Sequence, residues 1–250
     1  MDVLYVIGNG SECDNFELRC SLRSLEMYAK NIGKVYVVGY CPDWLSDNVV
    51  KIPHEDVQGK RKEVNILSAI LYAVDNSDIG EEFLISSDDH YLLKPVDLDN
   101  YPFYAKTYVS RSCKHFLPQQ VEVAWPNKAY ARTLMNTAHL LKKYGWSTYN
   151  FTLHRNMHCC RKVIEECRDI LNEIIDKNLN IESKAFLLNY WYTKYPFEFE
   201  IVRDLKITSP AKWYKINEDT KCFSTSNFGY GGNMHLKMSN LYQNKSKYER

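Results

Sequence analysis

The segment Phe83-Leu84-Ile85-Ser86-Ser87-Asp88-Asp89-His90-Tyr91-Leu92 decides how this chain is read. Phe83, Leu84 and Ile85 form a short continuous apolar run, the pattern of a strand buried on both faces. The run stops at two carboxylates and an imidazole, after which Tyr91, Leu92 and Leu93 resume the apolar character. Adjacent carboxylates at the end of a core strand are unfavourable unless positive charge neutralises them. A divalent cation does this most simply, because carboxylate oxygens and an imidazole nitrogen can both hold it. In an open α/β sheet, ligands bind beyond the carboxyl ends of the strands, where this cluster falls. A solvated turn capped by aspartate is the alternative.

The sequence leading up to the cluster supplies the rest of the sheet. Val3 to Ile7 is a β-type run stopped by the turn Gly8-Asn9-Gly10-Ser11. Asn15 to Lys30 carries Phe16, Leu18, Leu22, Leu25 and Met27 at mostly helical spacing, and Gly33 reads as the C-terminal stop of that helix. Lys34 to Gly39 and Val49 to Pro53 read as strands. Lys62 to Val74 reads as a helix with one apolar stripe of Val64, Leu67, Ile70, Leu71 and Val74. With residues 82–86 as the next strand, this order predicts an α/β fold, a mostly parallel sheet flanked by helices. Past residue 100 the pattern turns helical, over Ala129–Tyr144, Arg161–Lys177 and Ser183–Thr193. The expected organisation is a sheet-bearing part over 1–125, a mainly helical part of the same domain over 126–230, and a polar tail over 231–250.

Composition narrows the function. The 250 residues carry 32 basic and 31 acidic side chains, a formal charge of +1, which gives no case for nonspecific nucleic-acid binding. No apolar segment reaches the roughly 18–20 residues that span a bilayer. The start Met1-Asp2-Val3-Leu4 lacks the basic region of a signal peptide, so the chain reads as cytoplasmic. None of the eight cysteines has CxxC spacing, so neither a zinc ribbon nor a redox dithiol is indicated. The 19 tyrosines are a mild pointer to ring stacking. Trp125, Trp146, Tyr149 and Trp191 are among the aromatic candidates on an acceptor side, with burial in the core as their default.

Three stretches taken in order resemble a family. Glu17-Leu18-Arg19-Cys20-Ser21-Leu22-Arg23-Ser24-Leu25-Glu26, then Lys34-Val35-Tyr36-Val37-Val38, then Pro42-Asp43-Trp44-Leu45 resemble the opening of Stealth-type sugar-phosphate transferases of capsular polysaccharide synthesis. Asn9-Gly10-Ser11 stands where that family has a DGS-like turn, Asn65 where it has a helix asparagine, and Ser87-Asp88-Asp89 where it has NDD. Lys94-Pro95-Val96 also fits. The layout is similar, more generally, to GT-A nucleotide-sugar glycosyltransferases, whose strand-end DxD or DxH motif holds a divalent metal on the donor diphosphate. Asp88-Asp89-His90 satisfies DxH. The resemblance covers about the first hundred residues and departs at two of them. Asn9 replaces an aspartate, and His90 stands where the Stealth pattern is apolar.

The resemblance implies a metal-dependent glycosyltransferase of GT-A-like fold, using Mn2+ or Mg2+. The nucleotide-sugar donor would be bound in residues 1–125, and the acceptor would be a carbohydrate or another hydroxyl compound. Two alternatives stay open: a Stealth-like sugar-1-phosphate transferase, and a non-catalytic carbohydrate-binding domain on a transferase fold. A nucleic-acid acceptor is not indicated by charge. The catalytic candidates are Asp88, Asp89 and His90, with Asp88 and His90 as metal ligands and Asp89 on the donor sugar or ribose. His154 is a late third ligand, in a segment similar to the family's x-H-x-P element with Asn156 in place of proline. The donor would meet the backbone of Gly8, Asn9 and Gly10, together with Lys62 and Asn65. Arg19 and Arg23, four apart on one helix face, suit bidentate phosphate binding, with a solvated face as the alternative.

Overall fold

The computed structural model describes residues 1–11, 13–108, 128–226 and 233–250. The first strand, β1 (Asp2–Ile7), feeds helix α1 (Phe16–Tyr28) through the Gly8–Ser11 turn. The two-residue β2 (Ala29–Lys30) leads to β3 (Val35–Gly39) and β4 (Val49–Pro53). Helix α2 (Lys62–Asp75) then returns the chain to β5 (Glu82–Ser86). Beyond the Asp-Asp pair run β6 (His90–Leu92), β7 (Val96–Asp97) and β8 (Phe103–Ala105). The second half holds α3 (Lys128–Lys143), β9 (Met157–Cys160), α4 (Arg161–Glu166), α5 (Arg168–Asp176) and α6 (Ser183–Lys194). It closes with β10 (Phe199–Ile201), β11 (Lys206–Ile207), a 3-10 turn over Pro210–Lys215, β12 (Cys222–Thr225) and α7 (Met234–Leu241).

The main sheet has the order β4-β3-β1-β5-β9, parallel throughout except for β9. Side-chain alternation along β1 explains how it is covered. Val3, Tyr5 and Ile7 point to α1 and its Leu18, Leu22 and Leu25. Leu4 points to the opposite face, where α2, α4, α5 and α6 contribute Leu67, Ile70, Val163, Leu171 and Phe186. The strands are thus buried on both faces, as their continuous apolar runs predict. From β1 the chain moves to β3 on one side, while β5 lies on the other, so the loops after β1 and β5 part at their carboxyl ends. That is a switch point, where an open sheet leaves a crevice.

Helix α1 is buried on two sides. Its second face carries Cys20 against a small sheet, β11-β12-β6, and against α7, through Tyr91, Ile207, Phe223, Met234, Met238 and Tyr242. This accounts for the two serines of the Arg19–Glu26 stretch. The Ser21 hydroxyl donates to the His90 carbonyl at 2.6 Å, and the Leu92 amide donates to Ser24 Oγ at 3.1 Å. Both bonds tie α1 to the strand that follows the Asp-Asp pair, at about 1 kcal/mol each.

Four expectations are corrected. Residues 233–250 are not a loose tail: Met234, Met238 and Tyr242 are buried against the small sheet, Tyr248 packs with the α1 side of the main sheet, and Glu249 is buried against Arg19 and Arg23. The sheet is not complete by residue 125, since β9 supplies its antiparallel edge; position 125 itself lies outside the described residues. The helix expected over 161–177 breaks at Cys167, whose φ of −108° and ψ of 13° interrupt the α conformation between α4 and α5. Gly33 does not cap α1, which ends at Tyr28. It lets the loop pass the start of β1, where a Cβ would meet the Asp2 carboxylate at 2.3 Å.

Candidate active site

The crevice between the β1 and β5 loops is a cleft of about 580 Å³. One wall is the turn Gly8, Asn9, Gly10 and Ser11; its floor is Ser87, Asp88 and Asp89 at the end of β5. Lys62 and Asn65 enter from the first turn of α2, and Glu17 from the first turn of α1. Gly39, at φ +101°, closes β3 where any Cβ would strike the Ile7 carbonyl at 2.1 Å, so glycine alone fits there. The opposite rim comes from the second half of the chain, as Lys206, Thr225 and Ser226.

Charge in the cleft is concentrated on the two aspartates. Burial pushes the Asp88 carboxyl up to about 7, and the neighbouring Asp89 and Glu17 add to the rise. Burial also raises Asp89, against the opposing pull of Lys206, Lys184 and Lys62. Lys206 Nζ stands 3.6 Å from Asp89 Oδ2, and His90 Nε2 stands 3.6 Å from Asp89 Oδ1. The imidazole of His90 is held neutral, well below its ordinary value, chiefly by burial and then by nearby Lys184. Its Nδ1 is buried without a hydrogen-bond partner, and the residue lines a second, very small cavity together with His154 and Arg155.

The cleft therefore gathers Gly8, Asn9, Gly10, Lys62, Asn65, Asp88 and Asp89. It does not gather the rest of the expected set. Asn65, although it lines the cleft, bonds through its amide to the loop before α2, accepting from the Val57 amide at 3.2 Å and donating to the Val57 carbonyl at 3.4 Å. His90 lies behind the floor. His154 Nδ1 faces Lys206 Nζ at 3.4 Å, and burial lowers that imidazole to about 3. Among the described residues, no group of three or more His, Cys, Asp or Glu side chains is arranged to hold a metal ion.

Arg19 and Arg23 are absent from the cleft wall because they are otherwise engaged. Arg23 grips Glu249 through both carboxylate oxygens, each at 2.7 Å, and Arg19 Nη1 reaches the same carboxylate at 3.0 Å. The Arg19 guanidinium also lies 3.9 Å above the Trp44 ring. The pair is on one helix face, as its spacing says, but that face is covered by residues 242–249. Of the aromatic candidates, Trp146 packs on Phe186 and Tyr190, and Trp191 on Phe103 and Phe197, so both belong to the core. Trp125 lies outside the described residues.

Sequence reasoning missed Glu17, Asp56, Lys206, Thr225 and Ser226 as cleft residues. Glu17 had a signal, being the first carboxylate of a helix that opens directly after the glycine turn. Lys206 had none: it reaches Asp89 only because the small sheet folds back on β6.

Comparison with known proteins bears on the fold that carries this cleft. No family model matches the chain. The fold is that of GT-A glycosyltransferases: the galactosyltransferase LgtC, in complex with donor and acceptor sugar analogs, superposes with a TM-score of 0.51 at 10% identity, covering 99% of this chain and 97% of that one. An active-site mutant of LgtC gives a TM-score of 0.50, also at 10% identity over 99% and 97% of the two chains. In sequence, the chain is similar to the exopolysaccharide phosphotransferase SCO2592 of Streptomyces coelicolor, 26% identical over 185 residues, 67% of this chain and 19% of that protein. It is also similar to the capsular polysaccharide phosphotransferase SacB of Neisseria meningitidis serogroup A, 34% identical over 99 residues, 36% of this chain and 17% of that protein. The chain thus spans less than a fifth of the length of these relatives. Among the described residues, no helix is long and apolar enough to cross a membrane.

Proposed function

We propose that this chain is a transferase that binds a nucleotide-diphosphate sugar in the switch-point cleft and passes its sugar to a hydroxyl acceptor. The observation that carries the proposal is the meeting, in one cleft, of a glycine turn, a lysine at a helix start and two adjacent carboxylates. Turn amides and the Lys62 ammonium suit phosphate oxygens. Asp88 and Asp89 fit a hard divalent cation that takes its remaining ligands from donor phosphates and water, since Mg2+ is commonly held by one or two carboxylates in this way. Bound there, such an ion would neutralise charge on the leaving phosphate. His90 and His154 are left out of that ligand set: one stands behind the floor, and the other has its Nδ1 turned to an ammonium.

The sequence similarity to two polysaccharide phosphotransferases favours a second reading, transfer of the sugar together with one phosphate. In the first reaction the acceptor oxygen attacks the anomeric carbon and a nucleoside diphosphate leaves. In the second it attacks the β-phosphorus and a nucleoside monophosphate leaves. Either way negative charge grows on phosphate oxygens beside Lys62.

A screen of UDP-, GDP-, ADP- and dTDP-sugars, with and without Mn2+, tests the proposal. A donor at about a hundred times its Kd adds about 2.7 kcal/mol to stability, so one of them should raise the melting temperature by several degrees. The nucleotide released on turnover then separates the two readings. If no nucleotide sugar shifts the melting temperature or is consumed, the chain is not this kind of transferase.

A further inference from the structure

Lys206 comes to the cleft from β11, a strand of the small sheet, and is 30% exposed there. Its ammonium stands between Asp89 Oδ2 at 3.6 Å and His154 Nδ1 at 3.4 Å. Both separations exceed the roughly 2.7–2.9 Å of a good charge-assisted hydrogen bond. An ammonium has three donors, so these two long contacts leave it poorly satisfied and easily drawn elsewhere. His154, neutral through burial, offers an acceptor without adding charge. Lys62 lines the same cleft, and its positive charge also acts on both Asp88 and Asp89.

We propose that Lys206 is a phosphate-binding residue held in reserve: Asp89 keeps its ammonium until a phosphate group in the cleft competes for it and draws it onto its own oxygens. The inference rests on the reading that the cleft takes a diphosphate, and adds the residue that closes on it from the opposite rim. Lys62 then meets the phosphates from the α2 side and Lys206 from the small sheet. His154 is the positioning residue that keeps the ammonium over the cleft. Because Asp89 competes with phosphate for one cation, the carboxylate weakens anion binding by way of Lys206. The coupling between those two side chains is therefore measurable.

The test is calorimetric titration of inorganic pyrophosphate into the full chain in EDTA, for wild type, Asp89→Asn, Lys206→Met and the double variant D89N/K206M. Lys206→Met should weaken pyrophosphate binding by about tenfold or more, the size of one lost charge-assisted contact. Lys206→Arg, which keeps the charge, should recover most of that loss and so exclude a folding defect. Asp89→Asn should tighten binding several-fold, and most of that gain should be lost when Lys206 is already methionine, leaving only the relief of direct repulsion between Asp89 and the anion. Wild-type affinity in Lys206→Met, an equal gain from Asp89→Asn in both backgrounds, or no pyrophosphate binding by the wild type would each overturn the proposal. Pyrophosphate binding in the expected pattern without turnover of any nucleotide sugar would keep Lys206 and discard the donor reading. Turnover with wild-type donor affinity in Lys206→Met would do the reverse.

Discussion

Glu249→Ala lowers the stability of this protein by about 3 kcal/mol and its melting temperature by on the order of 10 °C. The Glu249 side chain is fully buried, and its carboxylate takes three hydrogen bonds from Arg19 and Arg23. The Ser246 amide and hydroxyl add two more, at 3.0 and 3.1 Å. Deleting the carboxylate leaves two guanidinium groups, 24% and 14% exposed, facing each other across the space it filled. That remnant of exposure places the expected loss at the low end of the range for a broken buried pair. The pH dependence has a defined sign. Burial alone would raise the Glu249 carboxyl, but hydrogen bonds from Arg23, Ser246 and Arg19 outweigh it and hold it at about 2, against 4.5 unfolded. The unfolded state therefore binds the proton first. The stabilisation is complete above about pH 4.5 and is lost as pH falls through about 2. Urea melts of wild type and Glu249→Gln between pH 2 and pH 6 check it, and the variant should lack this part of the acid slope. Unchanged stability in Glu249→Ala, with tighter pyrophosphate binding, would return Arg19 and Arg23 to the role of phosphate ligands.

The contrast between those arginines and the aspartates shows what the sequence made legible. Strands buried on both faces write continuous apolar runs, so β1, β3, β4 and β5 could be placed almost to the residue, and α2 equally by its stripe. The Asp88-Asp89 pair was legible for the same reason, as a local interruption of an apolar run. The i, i+4 spacing of Arg19 and Arg23 correctly put both on one face. What covers that face is Glu249, more than two hundred positions away, and no local pattern reports a partner at that distance. The last segment carried a readable signal in Met234, Met238, Leu241 and Tyr242 at helical spacing, masked by its many polar residues. Lys206 illustrates the opposite case, a lone lysine on a two-residue strand whose position depends wholly on tertiary pairing of β11 with β12 and of β12 with β6.

Asp88→Asn is expected to reduce transfer by at least about a hundredfold while making the metal-free protein more stable, two effects of one charge. Asp88 is half-buried on the cleft floor, next to Asp89 and within the field of Glu17, with Lys62 its principal positive neighbour. Its carboxyl rises from 3.8 in the unfolded chain to about 7 in the fold, so the native state holds the proton that the unfolded state has released. Stability in EDTA therefore falls as pH rises from about 4 to about 7, opposite in sign to the Glu249 contribution and in a different window. Asparagine carries no charge at any of these pH values, so the variant should melt higher than wild type at pH 8 and lose this decline. A donor bearing its own phosphates, with the cation that Asp88 and Asp89 fit, would reverse the balance by giving the carboxylate a counter-charge. Mn2+ should accordingly raise the melting temperature of wild type at pH 8 more than that of Asp88→Asn. Scanning calorimetry from pH 4 to pH 8, with EDTA or with Mn2+, reads all three differences, and an assay of released nucleotide reads the transfer. A variant that transfers at the wild-type rate would remove Asp88 from the chemistry, and one that melts lower than wild type at pH 8 would show the buried carboxylate to be a structural group.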